Sequence, residues 1–147
     1  MAITAKQKKI EYAMLLAWGI ALIATLGSLY FSEIENFIPC ELCWVQRIFM
    51  YPLAITLAIA AIKKDSKQAY YTLPISLIGL SFSIYHVMLE RIPALSETAE
   101  GCGIIPCNYL YINWFGFITI PFLALIAFLS ISIIMVYVIV TERRGEK

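Results

Sequence analysis

Charge is what this sequence has least of. Lys, Arg, Asp and Glu make up 14% of its 147 residues, against 61% hydrophobic residues. That balance excludes an ordinary soluble globule, in which roughly a quarter of the residues are charged. Neither sign dominates: the net charge is +1 and no basic face stands out, so a nucleic-acid-binding role has no support. Low-complexity segments and sequence repeats are also missing, although both halves share a layout of helix, cysteine loop, helix. The only histidine is His86, and no motif for flavin, nicotinamide or haem occurs. The composition is that of an integral membrane protein whose few polar groups are informative by position.

Four apolar runs stand out: Ala13 to Phe31, Trp44 to Ile62, Tyr70 to Leu89 and Phe115 to Val140. Each can cross ~30 Å of hydrocarbon at ~1.5 Å per residue. The first follows Lys6, Lys8 and Lys9, as a signal peptide would. Its apolar core is longer than a usual signal segment and no small-residue cleavage site follows, so it reads as a helix. The prediction is an all-α fold, an integral membrane four-helix bundle forming one membrane domain over residues 1–147, with short connections and antiparallel neighbours. Ala13, Ala17, Ala21 and Thr25 make a ridge of small residues for close helix packing. Pro52, Pro74 and Pro121 are expected to kink their helices.

The basic residues then orient the bundle. Lys6, Lys8, Lys9, Lys63, Lys64, Lys67, Arg143, Arg144 and Lys147 fall on one side, nine of the eleven. Arg47 and Arg91 are the exceptions, and Glu33, Glu35, Glu41, Glu90, Glu97 and Glu100 lie on the other side. The positive-inside rule makes both termini cytoplasmic and the two remaining loops exoplasmic.

All four cysteines lie in those exoplasmic loops, Cys40 and Cys43 in the first, Cys102 and Cys107 in the second. An oxidising compartment suits them. Pairing within each loop is the obvious arrangement, although four cysteines allow three connectivities. Static staples would remove little chain entropy across such short loops. A four-thiolate metal site fits an oxidising setting poorly. Close-spaced pairs are the form that thiol–disulfide exchange uses.

Position sharpens this for the first pair. Cys43 immediately precedes an apolar run, near a helix N-terminus that favours a negative sulfur. Arg47 follows four residues later on the same face, one turn deeper, where it can snorkel or hold an anion or a carbonyl oxygen. His86 falls at a similar depth on the third helix, where it can satisfy a backbone carbonyl or join Arg47 in a site. A dithiol becoming a disulfide releases two electrons and two protons. A lipid-dissolved acceptor of both is a quinone, and an arginine suits the oxygen that gains charge.

The run C-E-L-C-W-V-Q-R from Cys40 to Arg47, the segment YHVMLE with His86, the pair CGIIPC and the run NWFGFITIP resemble the DsbB family of membrane disulfide-generating oxidoreductases. The likeness covers nearly the whole chain and is nearest the BdbC-type members of Gram-positive bacteria. It implies a multi-pass protein of the bacterial plasma membrane that reoxidises a thioredoxin-fold oxidase of the DsbA or BdbD type. By that resemblance Cys102 is attacked by the partner's thiolate, Cys107 passes the electrons to Cys40, and Cys43 engages the quinone, which Arg47 binds with help from His86. Menaquinone is favoured over ubiquinone by the Gram-positive likeness. The second pair is only five positions apart and encloses Pro106, a departure from the proteobacterial pattern that bears on any Cys40–Cys107 bond. Two rivals are a reductase like the vitamin K epoxide reductases, whose quinone-facing pair comes late in the chain, and a non-catalytic scaffold with two fixed disulfides.

Overall fold

The computed structural model of the chain describes residues 4–98 and 104–144. Its helices are α1 (Ala5–Glu33), α2 (Glu41–Lys63), α3 (Ala69–Arg91), α4 (Pro93–Thr98) and α5 (Ile120–Arg143), with a 3₁₀ turn at Ser66–Gln68. No strand occurs among the described residues; Trp114 and Ile118 form one antiparallel bridge. The helices α1, α2, α3 and α5 are long and apolar enough to cross a membrane. Each of the four packs against two neighbours: α1 and α3 both contact α2 and α5, while the diagonal pair α2 and α5 barely touch.

Packing follows from the solvent. Ile23, Ile55, Ile62 and Ile133 point outward, where lipid makes apolar surface free of cost. The interior takes small, shape-fitting and polar residues. Ala17 and Ala21 of the predicted ridge are fully buried, with Leu53, Leu57, Phe128 and Ile131. Ser76 and Ser132 meet across α3 and α5 with their hydroxyl oxygens 3.0 Å apart. Gly79 lets α3 approach α5, because a Cβ there would meet the Phe128 ring.

Two helix starts differ most from the sequence expectation. α1 starts at Ala5, not Ala13, because Thr4 caps it, its hydroxyl accepting from Gln7 N at 3.3 Å. The lysine-bearing turn outside the apolar run is thus still helical. α5 starts at Ile120, not Phe115. Phe115 (φ 55°) and Gly116 (φ 79°) are both left-handed, which a right-handed helix cannot contain. Thr119 then caps α5 through Phe122 N at 3.4 Å. Pro121 therefore sits in the first turn, where its missing N–H would be unpaired anyway, and the kink expected there has no cause. Pro52 and Pro74 do lie inside α2 and α3.

Contacts gather the chain ends and the α2–α3 turn at one end of the bundle. Lys6 Nζ donates to the Glu142 carbonyl at 3.2 Å, Ser66 Oγ donates to Glu142 Oε1 at 2.7 Å, and Lys64 pairs with Glu11 at 3.1 Å. The cysteine-bearing loops lie at the other end.

Candidate active site

The geometry of the first cysteine pair is a consequence of helix capping. Cys40 is the N-cap of α2, with extended backbone (φ −70°, ψ 172°) and its carbonyl accepting from Trp44 N at 3.1 Å. An N-cap side chain turns toward the third helical residue, and that residue is Cys43. No polar cap oxygen is present. Instead the Cys40 thiol donates to Cys43 Sγ at 3.2 Å, so the pair stands as a hydrogen-bonded dithiol. That hydrogen bond, and then burial, push the Cys40 thiol from an ordinary 9.0 up to about 12.

His86 reaches this pair from α3. It is 1% exposed, and its Nε2 lies 3.1 Å from the Cys107 carbonyl and 3.6 Å from Cys40 Sγ. Gln46 Nε2 sits 3.2 Å from the other ring nitrogen. An amide nitrogen can only donate, so Nδ1 accepts and the imidazole carries its hydrogen on Nε2. His86 thus satisfies a backbone carbonyl, one of the two roles its position in the sequence left open, and contacts Cys40 besides. Gln46 was missed as a site residue. Its signal is a buried amide in an apolar span, three residues after Cys43, where an unpaired polar group is costly.

Arg47 is half-buried. Its Nη2 donates to the Ser28 carbonyl of α1 at 3.0 Å, and its guanidinium lies 5.5 Å from the Trp44 ring centroid. These contacts hold it inward against α1. One turn deeper, the Tyr51 hydroxyl is buried with no hydrogen-bond partner.

The second loop folds over the first. Tyr111 stacks on Phe37 at 4.6 Å, and its hydroxyl donates to the Ile38 carbonyl at 3.1 Å. Cys107 is buried beneath, in one cluster with Cys40 and Leu89, against which Leu42, Cys43 and Leu95 pack. Cys102 and the pairing expected of it lie outside the described residues. Cys40, Cys43, Arg47, Tyr51, His86 and Cys107 all line one cavity of about 410 Å³, whose other walls are mostly apolar side chains of α1, α5 and the loops.

A polar seam in an apolar cavity fits a quinone-sized, lipid-soluble group. Arg47 has guanidinium N–H groups beyond the one bound to Ser28, and the orphaned Tyr51 hydroxyl offers a second donor.

The chain matches the family described as disulfide bond formation protein DsbB over residues 10–138. A probable disulfide formation protein C 1 of Bacillus anthracis is 56% identical over 128 residues, covering 87% of this chain and 92% of that protein. Disulfide bond formation protein C of Bacillus subtilis is 53% identical over 131 residues, 89% of this chain and 91% of that one. A probable disulfide formation protein C of Halalkalibacterium halodurans is 52% identical over 132 residues, 90% and 96% respectively. No solved structure matches.

Proposed function

The chain belongs to the DsbB family of membrane oxidoreductases that generate disulfide bonds, and on that premise we propose that it reoxidises a thioredoxin-fold partner with a membrane quinone as electron acceptor. It is a multi-pass bacterial membrane protein. The observation that carries the quinone reading is one cavity shared by the Cys40–Cys43 dithiol, Arg47 and Tyr51 inside an apolar bundle.

The partner, of the DsbA or BdbD type, presents a dithiol to the exoplasmic loops. Its thiolate attacks Cys102, Cys107 leaves, and the mixed disulfide resolves as the partner's second thiol closes its own disulfide. With Cys40–Cys43 in its disulfide form, Cys107 then attacks Cys40 and Cys43 leaves; Cys102 in turn attacks Cys107, releasing Cys40 and re-forming the second pair. The place of Cys107 in the same buried cluster as Cys40 supports that transfer. The His86 hydrogen bond to the Cys107 carbonyl ties the second loop to α3 beside Cys40. Closing Cys40–Cys43 again releases two electrons and two protons. A quinone bound in the cavity supplies an acceptor for both; menaquinone is favoured over ubiquinone by the Bacillus likeness. Arg47 and Tyr51 would hold its oxygens, and the apolar walls exclude water.

The test is oxidation of a reduced thioredoxin-fold partner by purified protein across quinone concentrations. Losing one preorganised donor costs on the order of a hundredfold in rate. Arg47→Ala should therefore lose about that much, and Arg47→Lys should mainly raise the apparent KM. Unchanged kinetics in Arg47→Ala would remove the arginine from the acceptor site.

A further inference from the structure

We propose that the reduced Cys40–Cys43 pair and His86 together form a binding site for one thiophilic divalent cation of the zinc or cadmium class, which holds the pair in its reduced form. The two sulfurs and a ring nitrogen of His86 lie within 4.8 Å of one another. A tetrahedral zinc ion, with Zn–S of ~2.3 Å and Zn–N of ~2.0 Å, needs ligand atoms roughly 3.5–3.8 Å apart. The Cys40 Sγ to His86 Nε2 separation is already 3.6 Å, and the sulfurs, at 3.2 Å, have little to open. Thiolate and imidazole donors select zinc and cadmium over magnesium and calcium. The ligands stand on α3 and on the first turn and N-cap of α2, two packed helices, so the three are already gathered in the dithiol state.

The balance involves no electron transfer. Two thiols lose their protons, and the ion gains two sulfur ligands and one neutral nitrogen. Nε2 gives up its hydrogen, and with it the hydrogen bond to the Cys107 carbonyl, to bind the ion, and the ring then carries a hydrogen on Nδ1. Gln46 must turn its amide so that its oxygen accepts from Nδ1, the outer-shell arrangement that metal-bound histidines favour. Three protein ligands leave a fourth position open to the cavity that all three residues line. With both sulfurs coordinated, neither attacks a disulfide nor pairs with the other. The cation is thus a reversible inhibitor of turnover. Inhibition rests on the electron path proposed above; binding does not.

The test uses the full chain in detergent, reduced with a phosphine that is then removed, and titrated with Co2+ and afterwards Zn2+. We expect one Co2+ per chain, with a thiolate charge-transfer band and tetrahedral d–d bands that Zn2+ abolishes. The oxidised protein, a folded control that needs no substitution, should give neither. Cys40→Ser and Cys43→Ser should lose the charge-transfer band, and Cys102→Ser should keep it. Gln46→Leu should weaken binding by about 10–100-fold, as outer-shell changes do, and His86→Ala by at least as much. No binding, an octahedral spectrum, equal binding by the oxidised protein, or binding lost with Cys102→Ser would each overturn the proposal. Binding as described, with quinone-dependent turnover undiminished by zinc, would keep the site and count against the electron path.

Discussion

Cys40 is both the N-cap residue of α2 and half of a dithiol: its backbone opens the helix, and its sulfur meets Cys43. Its proton is held up to about 12, first by the hydrogen bond to Cys43 and then by burial. A thiol whose folded value exceeds its unfolded 9.0 stabilises the fold in its protonated form. That contribution is fully present below pH 9 and is lost as the pH rises toward about 12. In the reduced protein at neutral pH, Cys40 should thus alkylate slowly. Cys43→Ala removes the leading cause, so the Cys40 rate, followed by mass spectrometry of its peptide, should rise about tenfold for each pH unit by which the value falls. An unchanged rate would assign the effect to burial. At this scale the candidate site residues could be picked out by type and spacing, because cysteine pairs and charges are rare in apolar spans. Their mutual contacts could not. His86 could be placed in depth by counting turns, but which way it faces around the helix axis depends on how α3 is rotated against α2, and that brings it to Cys40 and Gln46.

Among the elements, α3 and α5 approach closely where Gly79 faces Phe128. A Cβ built on Gly79 comes within 2.6 Å of Phe128 Cζ and 2.8 Å of Cδ1, and the ring is fully buried. Alanine normally favours a helix over glycine by ~1 kcal/mol. Here overpacking reverses the sign, and Gly79→Ala should cost ~1–3 kcal/mol. The check is thermal unfolding in detergent, with the Gly79→Ala, Phe128→Leu pair recovering part of the loss; a more stable Gly79→Ala would show that the ring yields. Helix existence was readable here because crossing a bilayer demands long apolar runs. The start of α5 was not, because Phe115 and Phe117 flank the turn and carry the same apolar signal as the helix that follows. Only the left-handed Phe115–Gly116 pair marks the boundary, and hydropathy does not register backbone conformation.

For the whole molecule, the decisive arrangement is that chain ends and cysteine loops occupy opposite ends of the bundle. Among the described residues, eight of the ten basic side chains belong to the first end, so both termini should be cytoplasmic and the cysteines exoplasmic. A reporter fused after Lys147 should be active in the cytoplasm, and a membrane-impermeant maleimide should label reduced cysteines in intact cells; an exoplasmic reporter would invert the proposed path. Granted that orientation, the buried place of Cys107 bears on the proposed encounter with the partner. Cys107 is 4% exposed, in a loop pinned by Tyr111 stacked on Phe37 and bonded to Ile38, which supports the proposal that the partner's thiolate attacks Cys102 and not Cys107. Removing the resolving thiol with Cys107→Ala should trap a mixed disulfide between Cys102 and a thioredoxin-fold partner, visible on a non-reducing gel and absent after a further Cys102→Ala change. Tyr111→Ala loosens the cover without touching any sulfur. It should slow transfer from the second pair to Cys40, so that thiol trapping during turnover finds Cys102 and Cys107 more reduced and Cys40 and Cys43 more oxidised. If instead the adduct survived loss of Cys102 and vanished with Cys40→Ala, the partner would be meeting the first loop, and the two pairs would have to exchange roles.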